Sequence, residues 1–314
     1  MATHYITSTA DSGEGSLRQL LKDAPMGDTI QPSPVLFPTG TVCRVTLESK
    51  LTTRNSTLGM NITGGQTRLE INGNGQYSFG GNCVLTLQNV DFVALSGGTS
   101  SAVAFSKKTY IYRCRIIGCR VGNYVLGSTL ESLEMYDCAI YGCALTGSSP
   151  YILGRFYSMS LISRTTIGGN VGQNGINGDY VTNGYITVVD CAGSSYTSEW
   201  ATPPPSSYAY STWTKNSWKD MDPRPTSTSS FRTGSSTSAP SINDLDGLAR
   251  KTNGALGAYE YDPLPRITSP NSLNATNITS NSALLGWNAV QNAVNYGVDY
   301  KLAGDSLWTR TNTD

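Results

Sequence analysis

Acid–base chemistry needs carboxylates that face one another, and this chain offers few. Asp137 and Asp190 occupy equivalent positions of an internal repeat, two repeats apart. Two carboxyl groups about 6.5–9.5 Å apart can perform inverting hydrolysis of a glycosidic bond. However, Arg164 occupies the same position in the repeat between them. A carboxylate paired with an arginine stays ionised and is a poor general acid, so we assign no catalytic residue here.

Other candidates for catalysis or metal binding are weak. The only histidine, His4, lies in a strand-like N-terminal segment, so no Ser-His-Asp triad is proposed. The densest acidic clusters are Asp220-Met221-Asp222 and Asp244-Leu245-Asp246, and we expect the second to form a structural turn. The catalytic residues are therefore unknown. We expect no cofactor and no metal, and a structural calcium ion is the alternative.

The seven cysteines are an odd number, so at least one is free or pairs with another chain. Cys114, Cys138 and Cys191 recur at one position of the repeat, and Cys119 and Cys143 recur at another. With a single histidine, their spacing is poor for zinc. We expect buried free thiols that act as small apolar side chains. Disulfides between Cys114 and Cys138, or between Cys119 and Cys143, are the alternative.

The elements that position these residues are predicted by the repeat. Self-similarity with a period of 20–50 residues is typical of a solenoid, and short β-type runs with glycine-rich corners favour a parallel β-helix. We therefore predict an all-β fold, a right-handed parallel β-helix, with aligned apolar positions facing inward. The aligned segments recur at intervals of 24 to 27 residues and are 87–92, 111–116, 135–140, 162–167 and 188–193.

A polar column runs between the apolar columns of the repeat. Equivalent residues in successive coils stack about 4.8 Å apart, so alternating charges would pair along the column. We expect an exposed structural ladder, in which neutralising Asp137 costs less than about 1 kcal/mol. A substrate-binding stripe of arginines is the alternative, which the interleaved carboxylates disfavour. The column consists of Asn89, Arg113, Asp137, Arg164 and Asp190.

The N-terminal segment predicts a short helix that covers the first coil. Ser16 and Gln19 form a capping-box signal, and three leucines within 17–21 would lie on one face. The helix should end near Asp23-Ala24-Pro25. Such a lid would bury the apolar end of the solenoid.

Composition excludes several classes of protein. Charged residues make up only 14%, with 33 glycines and 18 tyrosines, which is typical of an extracellular all-β protein. The formal net charge is zero and no basic run exceeds Lys107-Lys108, so we expect no nucleic-acid partner. No segment approaches the roughly 20 apolar residues of a membrane span.

A Pro-, Ser-, Thr- and Tyr-rich tract follows the repeats from about Thr197 to Pro240. Its aromatic residues are costly to expose, so we expect them to pack as long loops against the solenoid. Stacking on sugar rings is the alternative, which makes them candidate ligand-binding residues. They are Trp200, Tyr208, Tyr210, Trp213 and Trp218.

Two motifs carry a resemblance. The opening Thr7–Arg18 segment, and the Asp244–Arg250 segment followed by Gly257-Ala258-Tyr259-Glu260-Tyr261, resemble those of bacterial surface proteins with a right-handed parallel β-helix of the pectate-lyase-like type. The resemblance covers about 260 residues and defines a β-helix domain at 1–262. It implies secretion, surface attachment and frequent contact with carbohydrate, and it does not fix an activity.

The residues 265–314 are similar to the first half of a fibronectin type III domain, with Trp287 and Tyr296 as its core aromatic residues. A complete domain of this kind needs about seven strands. Three or four fit here, so we read this segment as a truncated domain, a partial β-sandwich.

These observations predict a secreted or cell-surface bacterial protein. The segment Met1–Tyr5 lacks the features of a signal peptide, so either a leader has been removed, as composition favours, or the protein stays inside. We expect a non-catalytic role in adhesion or in binding and display of a polysaccharide or cell-surface glycan. The alternative is a polysaccharide lyase or glycoside hydrolase of the pectate-lyase-like type, with its site on long loops.

Overall fold

The computed structural model describes residues 1–147, 151–156, 160–170, 186–189, 192–194, 200–202, 221–225, 227–229, 243–251, 253–260, 272–280, 282–288, 296–300 and 309–313. Within these residues the protein is all-β with one short α-helix. The chain divides into two compact units, Met1–Tyr261 and Asp262–Asp314. No helix in this described part of the chain is long and apolar enough to cross a membrane.

Strands recur along the first unit in a constant order, as expected for successive coils. The elements, in chain order, are β1 (Thr3–Ile6), α1 (Leu17–Asp23), β2 (Thr29–Pro32), β3 (Val42–Thr46), β4 (Leu51–Thr52), β5 (Gly59–Thr63), β6 (Arg68–Asn72), β7 (Phe79–Gly81), β8 (Val84–Gln88), β9 (Val90–Val93), β10 (Ser96–Gly98), β11 (Ser101–Phe105), β12 (Thr109–Tyr112), β13 (Arg115–Ile117), β14 (Arg120–Val121), β15 (Tyr124–Leu130), β16 (Leu133–Tyr136), β17 (Ala139–Tyr141), β18 (Ala144–Leu145), β19 (Tyr151–Phe156), β20 (Ser160–Ser163), β21 (Thr166–Gly168), β22 (Ile186–Val189), β23 (Ala192–Ser194), β24 (Trp200–Thr202) and β25 (Asp222–Pro225).

These strands form a parallel β-solenoid, which confirms the predicted fold class. The first sheet has the order β1-β2-β5-β8-β12-β16-β20-β22, and the second sheet has the order β3-β6-β9-β13-β17-β21-β23. The third sheet is β4-β7-β11-β15-β19, and β10, β14 and β18 form a short fourth one. Strands β24 and β25 pair antiparallel outside the coils.

The predicted columns are confirmed in register, and their members up to Ile162 and Ile167 are buried in the core. In the first sheet, Leu87, Ile111, Met135, Ile162 and Val188 pair in successive strands. In the second sheet the same holds for Phe92, Ile116, Ile140, Ile167 and Gly193. In the first sheet, buried residues alternate with partly exposed ones along β2, β5, β8, β12 and β16, so one face of these strands lies in a continuous core. In the second sheet, β9, β17 and β21 are buried along their whole length, so both of their faces are covered.

The helix α1 closes the first coil as predicted. The Ser16 Oγ accepts the backbone N–H of Gln19, and the Gln19 side chain accepts the N–H of Gly15. These two bonds satisfy donors that a helix start leaves free. Leu17 and Leu21 are buried in the same core as the strands, and α1 contacts β1, β2 and β4.

The corner between the first and second sheets depends on one residue in the left-handed region of backbone space. Its φ is +55° at Asn89, +53° at Arg113, +52° at Asp137 and +43° at Arg164. The chain therefore bends sharply at each of these four residues of the predicted polar column. The residue after the corner points inward and is buried in every described coil.

Cysteines occupy this inward corner position in two successive coils. The Cys114 Sγ accepts the N–H of Val90 at 3.4 Å, and the Cys138 Sγ accepts the N–H of Cys114 at 3.4 Å. Each thiol thus satisfies a corner amide of the preceding coil. The described cysteines, 43, 83, 114, 119, 138 and 143, are buried and free, which confirms the predicted free thiols; Cys191 lies outside the described residues.

The second unit contains two antiparallel strand pairs among its described residues. The strands are β26 (Asn274–Thr276), β27 (Leu284–Gly286), β28 (Tyr296–Tyr300) and β29 (Thr309–Thr313). β26 pairs with β27, and β28 pairs with β29. The rings of Trp287 and Tyr296 meet edge to face, with centroids 5.3 Å apart.

Candidate functional site

The segment 243–260, called the closing segment below, packs on the outer face of the second sheet. Leu245, Ala258 and Tyr259 form a second apolar cluster with side chains of β9, β13 and β17, among them Tyr141. The Ala258 N–H also donates to Thr166 Oγ1 of β21 at 2.9 Å. The closing segment is therefore an integral cover for this face of the solenoid.

Asp244 shapes the start of this cover, as the predicted structural turn requires. Its Oδ1 accepts the N–H groups of Asp246 at 2.9 Å and Leu248 at 2.7 Å, and its Oδ2 accepts the N–H of Glu260 at 2.8 Å. Burial raises the pKa of Asp244, although the amides of Glu260 and Leu248 act in the opposite direction. The carboxylate thus ties both ends of the closing segment together.

Asp137 is the centre of a buried ion-pair network. Arg164 donates to both its oxygens, at 2.8 and 2.9 Å, and Arg250 of the closing segment donates to Oδ1 at 2.6 Å. Arg250 also bonds the Gly257 carbonyl oxygen at 2.9 Å and Glu260 at 3.3 Å. Asp137 and Arg164 are 0% and 1% exposed.

The prediction of an exposed ladder is therefore wrong for Asp137 and Arg164. The physical reason is that the closing segment, whose Arg250 is 113 residues beyond Asp137 in the chain, covers this corner. Of the predicted alternating charge pairs, Asp137 with Arg164 is confirmed; Asp137 also pairs with Arg250, and none of its described bonds involves Arg113. Asp190, the last residue of the predicted column, lies outside the described residues.

Arg113 occupies the same corner one coil below and is half-buried. Its Nε is buried without a hydrogen-bond partner, and none of the described hydrogen bonds or ion pairs involves its guanidinium. Burial lowers the pKa of Arg113 and Arg68 acts in the same sense, while Asp244 and Asp137 oppose them. The guanidinium therefore lies among charges that are already engaged with other partners.

A second charge ladder, which the sequence did not reveal, lies on the outer face of the second sheet. Arg44, Glu70, Asp91 and Arg115 are paired in register in successive strands. Arg44 bonds Glu70 at 2.7 Å, and Arg115 and Arg68 both bond Asp91. The signal in the sequence that could have predicted this ladder is a charged residue at the same strand position in each of these coils.

Asp91 and Asp137 are thus both held between arginines. Burial alone would raise the pKa of Asp91, but Arg115 and Arg68 overcome it and hold that pKa below its ordinary value. Such carboxylates accept hydrogen bonds and are poor proton donors. Within the described ranges, no three His, Cys, Asp or Glu side chains are grouped so as to hold a metal ion.

A different surface, called the tyrosine face below, lies on the outside of the first sheet. It consists of Tyr110, Tyr112 and Tyr136, all partly exposed, on the adjacent strands β12 and β16. The rings of Tyr112 and Tyr136 are nearly parallel, with an interplanar angle of 7° and centroids 5.5 Å apart. Burial raises the pKa of both phenols, and Glu134 adds to this, so both remain neutral donors.

Polar groups border the tyrosine face. The Lys108 ammonium lies 4.7 Å from the centre of the Tyr110 ring and 3.4 Å from Glu134, so this cation and this anion offset one another. Thr86 and Gln88 of β8 pair with Tyr110 and Tyr112 and continue the surface toward the first coils. The surface is therefore aromatic, hydrogen-bonding and uncharged in sum.

The aromatic residues predicted to contact a ligand are not part of this face. Tyr208, Tyr210, Trp213 and Trp218 lie outside the described residues. Trp200 begins β24, whose backbone pairs with β25, and its side chain is not described. The tyrosine face was missed, although Tyr110, Tyr112 and Tyr136 lie in or beside the aligned segments at the outward positions of their strands.

Comparison of the whole chain with protein-family models, with curated proteins and with solved structures finds no match.

Proposed function

We propose that this protein is a non-catalytic surface protein whose solenoid binds and displays a glycan. The observation that carries the proposal is the tyrosine face. Aromatic side chains provide large, rigid apolar surfaces with a polar tip, which suits sugar rings that have both C–H faces and hydroxyl groups. The phenol, amide and hydroxyl groups of Tyr112, Gln88 and Thr86 supply donors and acceptors for those hydroxyls.

The position of the tyrosine face on regular strands favours binding. Tyr110 and Tyr112 are fixed by the register of β12 between β8 and β16, so little conformational entropy is lost when a ligand binds. Tyr112 and Tyr136 lie on adjacent strands, at the strand spacing of about 4.8 Å, so an extended ligand can contact both rings.

The ion pairs of the buried carboxylates support a role without bond cleavage. Protonation of a leaving-group oxygen requires a carboxyl group of raised pKa placed at the substrate. Asp137 and Asp91 are instead enclosed by arginines. Asp244, whose pKa is raised, uses both oxygens to accept backbone amides.

The remaining parts of the proposal concern location and architecture. The composition and the opening and closing motifs support a secreted or cell-surface protein of the pectate-lyase-like type that acts in adhesion. For the second unit we propose a fibronectin type III-like spacer. The edge-to-face contact of Trp287 with Tyr296 and the antiparallel strand pairs support it.

Affinity electrophoresis through gels that contain single polysaccharides tests the proposal. We expect retardation of the wild-type protein by at least one polymer, and loss of it in the Tyr112→Ala/Tyr136→Ala double variant. The matched control is Tyr124→Ala/Tyr151→Ala, since these tyrosines form a similar stack on the third sheet with centroids 6.3 Å apart. Equal loss in both double variants would assign the effect to stability.

An activity assay with the same polymers tests the non-catalytic part. We expect no release of reducing ends or unsaturated products during prolonged incubation. Product formation that disappears when one Asp, Arg or Tyr is replaced would instead identify a lyase or hydrolase.

A further inference from the structure

Arg113 lies next to the tyrosine face. It directly follows Tyr112, the last residue of β12, and its positive φ turns the chain at the end of that strand. It is therefore at the rim where the first sheet meets the closing segment. Its guanidinium has five N–H donors, and none of them takes part in a described hydrogen bond.

The other arginines around this corner have defined partners. Arg164 and Arg250 bond Asp137, and Arg68 bonds Asp91 and the Arg113 carbonyl oxygen at 2.9 Å. The nearby acidic groups are saturated by these bonds or, for Asp244, by backbone amides. Asp137 and Asp244 lie near enough to attract the Arg113 guanidinium, but neither forms a described hydrogen bond or ion pair with it.

A second polar atom without a hydrogen-bond partner lies in the preceding coil, at the equivalent position of the polar column. The Asn89 Oδ1 is buried without a partner, one coil below the Arg113 Nε. Buried polar groups without partners are rare and costly. Both of these atoms are covered, so an external ligand can meet only the terminal nitrogens of the half-buried Arg113 side chain. An oxygen-rich anion would accept from both terminal nitrogens of that guanidinium.

We propose that Arg113 binds an anionic oxygen group, a carboxylate or a sulfate, carried by the glycan that packs against Tyr112 and Tyr136. The inference rests on the proposed function and specifies its ligand as a charged glycan. The tyrosine pair holds the sugar ring, and the planar guanidinium binds two oxygens of the substituent at once.

Three polymers with one backbone test this inference: dextran, carboxymethyl-dextran and dextran sulfate. The main variant is Arg113→Asn, because Asn89 shows that asparagine fits this corner at nearly the same φ. The control is Arg44→Gln, which removes the same charge from an arginine that bonds Glu70 and is 62% exposed. Arg113→Lys keeps the charge and loses the planar fork.

We expect the wild-type protein to bind both charged polymers about tenfold more tightly than dextran, as one charge-assisted contact allows. Arg113→Asn should remove this gain, Arg113→Lys should keep part of it, and Arg44→Gln should keep all of it. Persistence of the gain in Arg113→Asn, or an equal loss in Arg44→Gln, would overturn the inference.

Two further outcomes separate this inference from the proposed function. In the first, binding depends on Tyr112 and Tyr136 but has the same affinity for all three polymers. This result would support a site for neutral glycans and would refute the role of Arg113. Saturation of Arg113 by inorganic sulfate at constant ionic strength, with no preference among the polymers, would indicate a free-anion site and refute it too. Absence of binding to every polymer would refute both proposals for this backbone.

Discussion

At the scale of single residues, the thiols of Cys114 and Cys138 accept hydrogen bonds from corner amides, in the place of a backbone acceptor. Sharp corners cannot form every ladder hydrogen bond, and a buried amide without an acceptor is destabilising. The Cys138 Sγ accepts the amide of Cys114 and donates to the Tyr136 carbonyl oxygen at 3.1 Å. Cysteine at this position is thus a compact hydrogen-bonding group as well as an apolar one.

Replacement of Cys138 tests this role. Cys138→Ala should lower the free energy of unfolding by about 1–3 kcal/mol, because the Cys114 amide loses its acceptor. Cys138→Ser should cost less, since the hydroxyl can make the same two bonds. Urea unfolding followed by circular dichroism measures the difference.

Cys119 provides the control, because its Sγ only donates, weakly, to the Ile117 carbonyl oxygen at 3.7 Å. Serine should have no advantage over alanine there. A serine advantage of similar size at both positions would show that hydrogen bonding to the corner amide is not the cause.

The column positions were predictable from sequence, and their environments were not. Stacked apolar residues such as Ile111 and Met135 follow from periodicity alone, since each coil buries its apolar side against its neighbours. The burial of Asp137 depends on Arg250, which is 113 residues away in the chain. Periodicity carries no information on which distant segment covers a given corner, so the exposed ladder was the wrong inference.

At the scale of elements, the closing segment converts a surface corner into a buried one. Its apolar residues and Arg250 act together, because the Arg250 guanidinium is buried with Asp137 and Glu260. A buried ion pair contributes little net stability compared with apolar packing, but loss of one partner is severe. The closing segment can therefore dock on the second sheet only if Arg250 and Asp137 are both in place, because a single buried charge would be severely destabilising.

Asp137→Asn measures this dependence. Asparagine tolerates the positive φ of the corner, so the variant removes the charge without straining the backbone. We expect a loss of about 3–5 kcal/mol, because Arg164 and Arg250 both lose the buried carboxylate that they share. Glu70→Gln is the comparison, with a loss of under about 1 kcal/mol, since its partner Arg44 is mostly exposed.

Limited proteolysis of the Arg250→Gln variant measures whether the closing segment detaches from the solenoid. We expect cleavage within 243–260 at protease concentrations that leave the wild-type protein intact, while β1 to β17 stay protected. Arg224→Gln should have a smaller effect, because Arg224 pairs with Asp222 and Asp246 at a more exposed position. Simultaneous cleavage throughout the solenoid would show that the cover and the coils unfold together.

At the scale of the whole molecule, several acidic groups are buried in their protonated form. Burial raises the pKa of the Cys43 and Cys114 thiols from 9.0 to about 12, and that of the Tyr141 phenol from 10.0 to about 12. At pH values between the ordinary pKa and the raised pKa of each group, that group has lost its proton in the unfolded chain but keeps it in the native protein. The free energy of unfolding therefore decreases as the pH rises from about 9 toward 12.

Urea midpoints at pH 7, 9 and 11 test this dependence. We expect little change between pH 7 and 9 and a clear decrease at pH 11. Cys43→Ala should be less stable at neutral pH but should lose less between pH 9 and 11, since one titrating group is absent. A parallel pH profile for both proteins would argue that other groups control the alkaline loss.

The helix α1 also restricts how copies of this molecule could associate. Each end of a stack of parallel coils presents an apolar cross-section and an unpaired strand row, on which another molecule could continue the stack into a fibril. At the first coil, Leu17 and Leu21 fill that cross-section, and Arg18 anchors α1 to the carbonyl oxygens of Ser49 and Lys50. We therefore expect α1 to hinder the stacking of another copy on the first coil, which would give any assembly of the solenoid a direction.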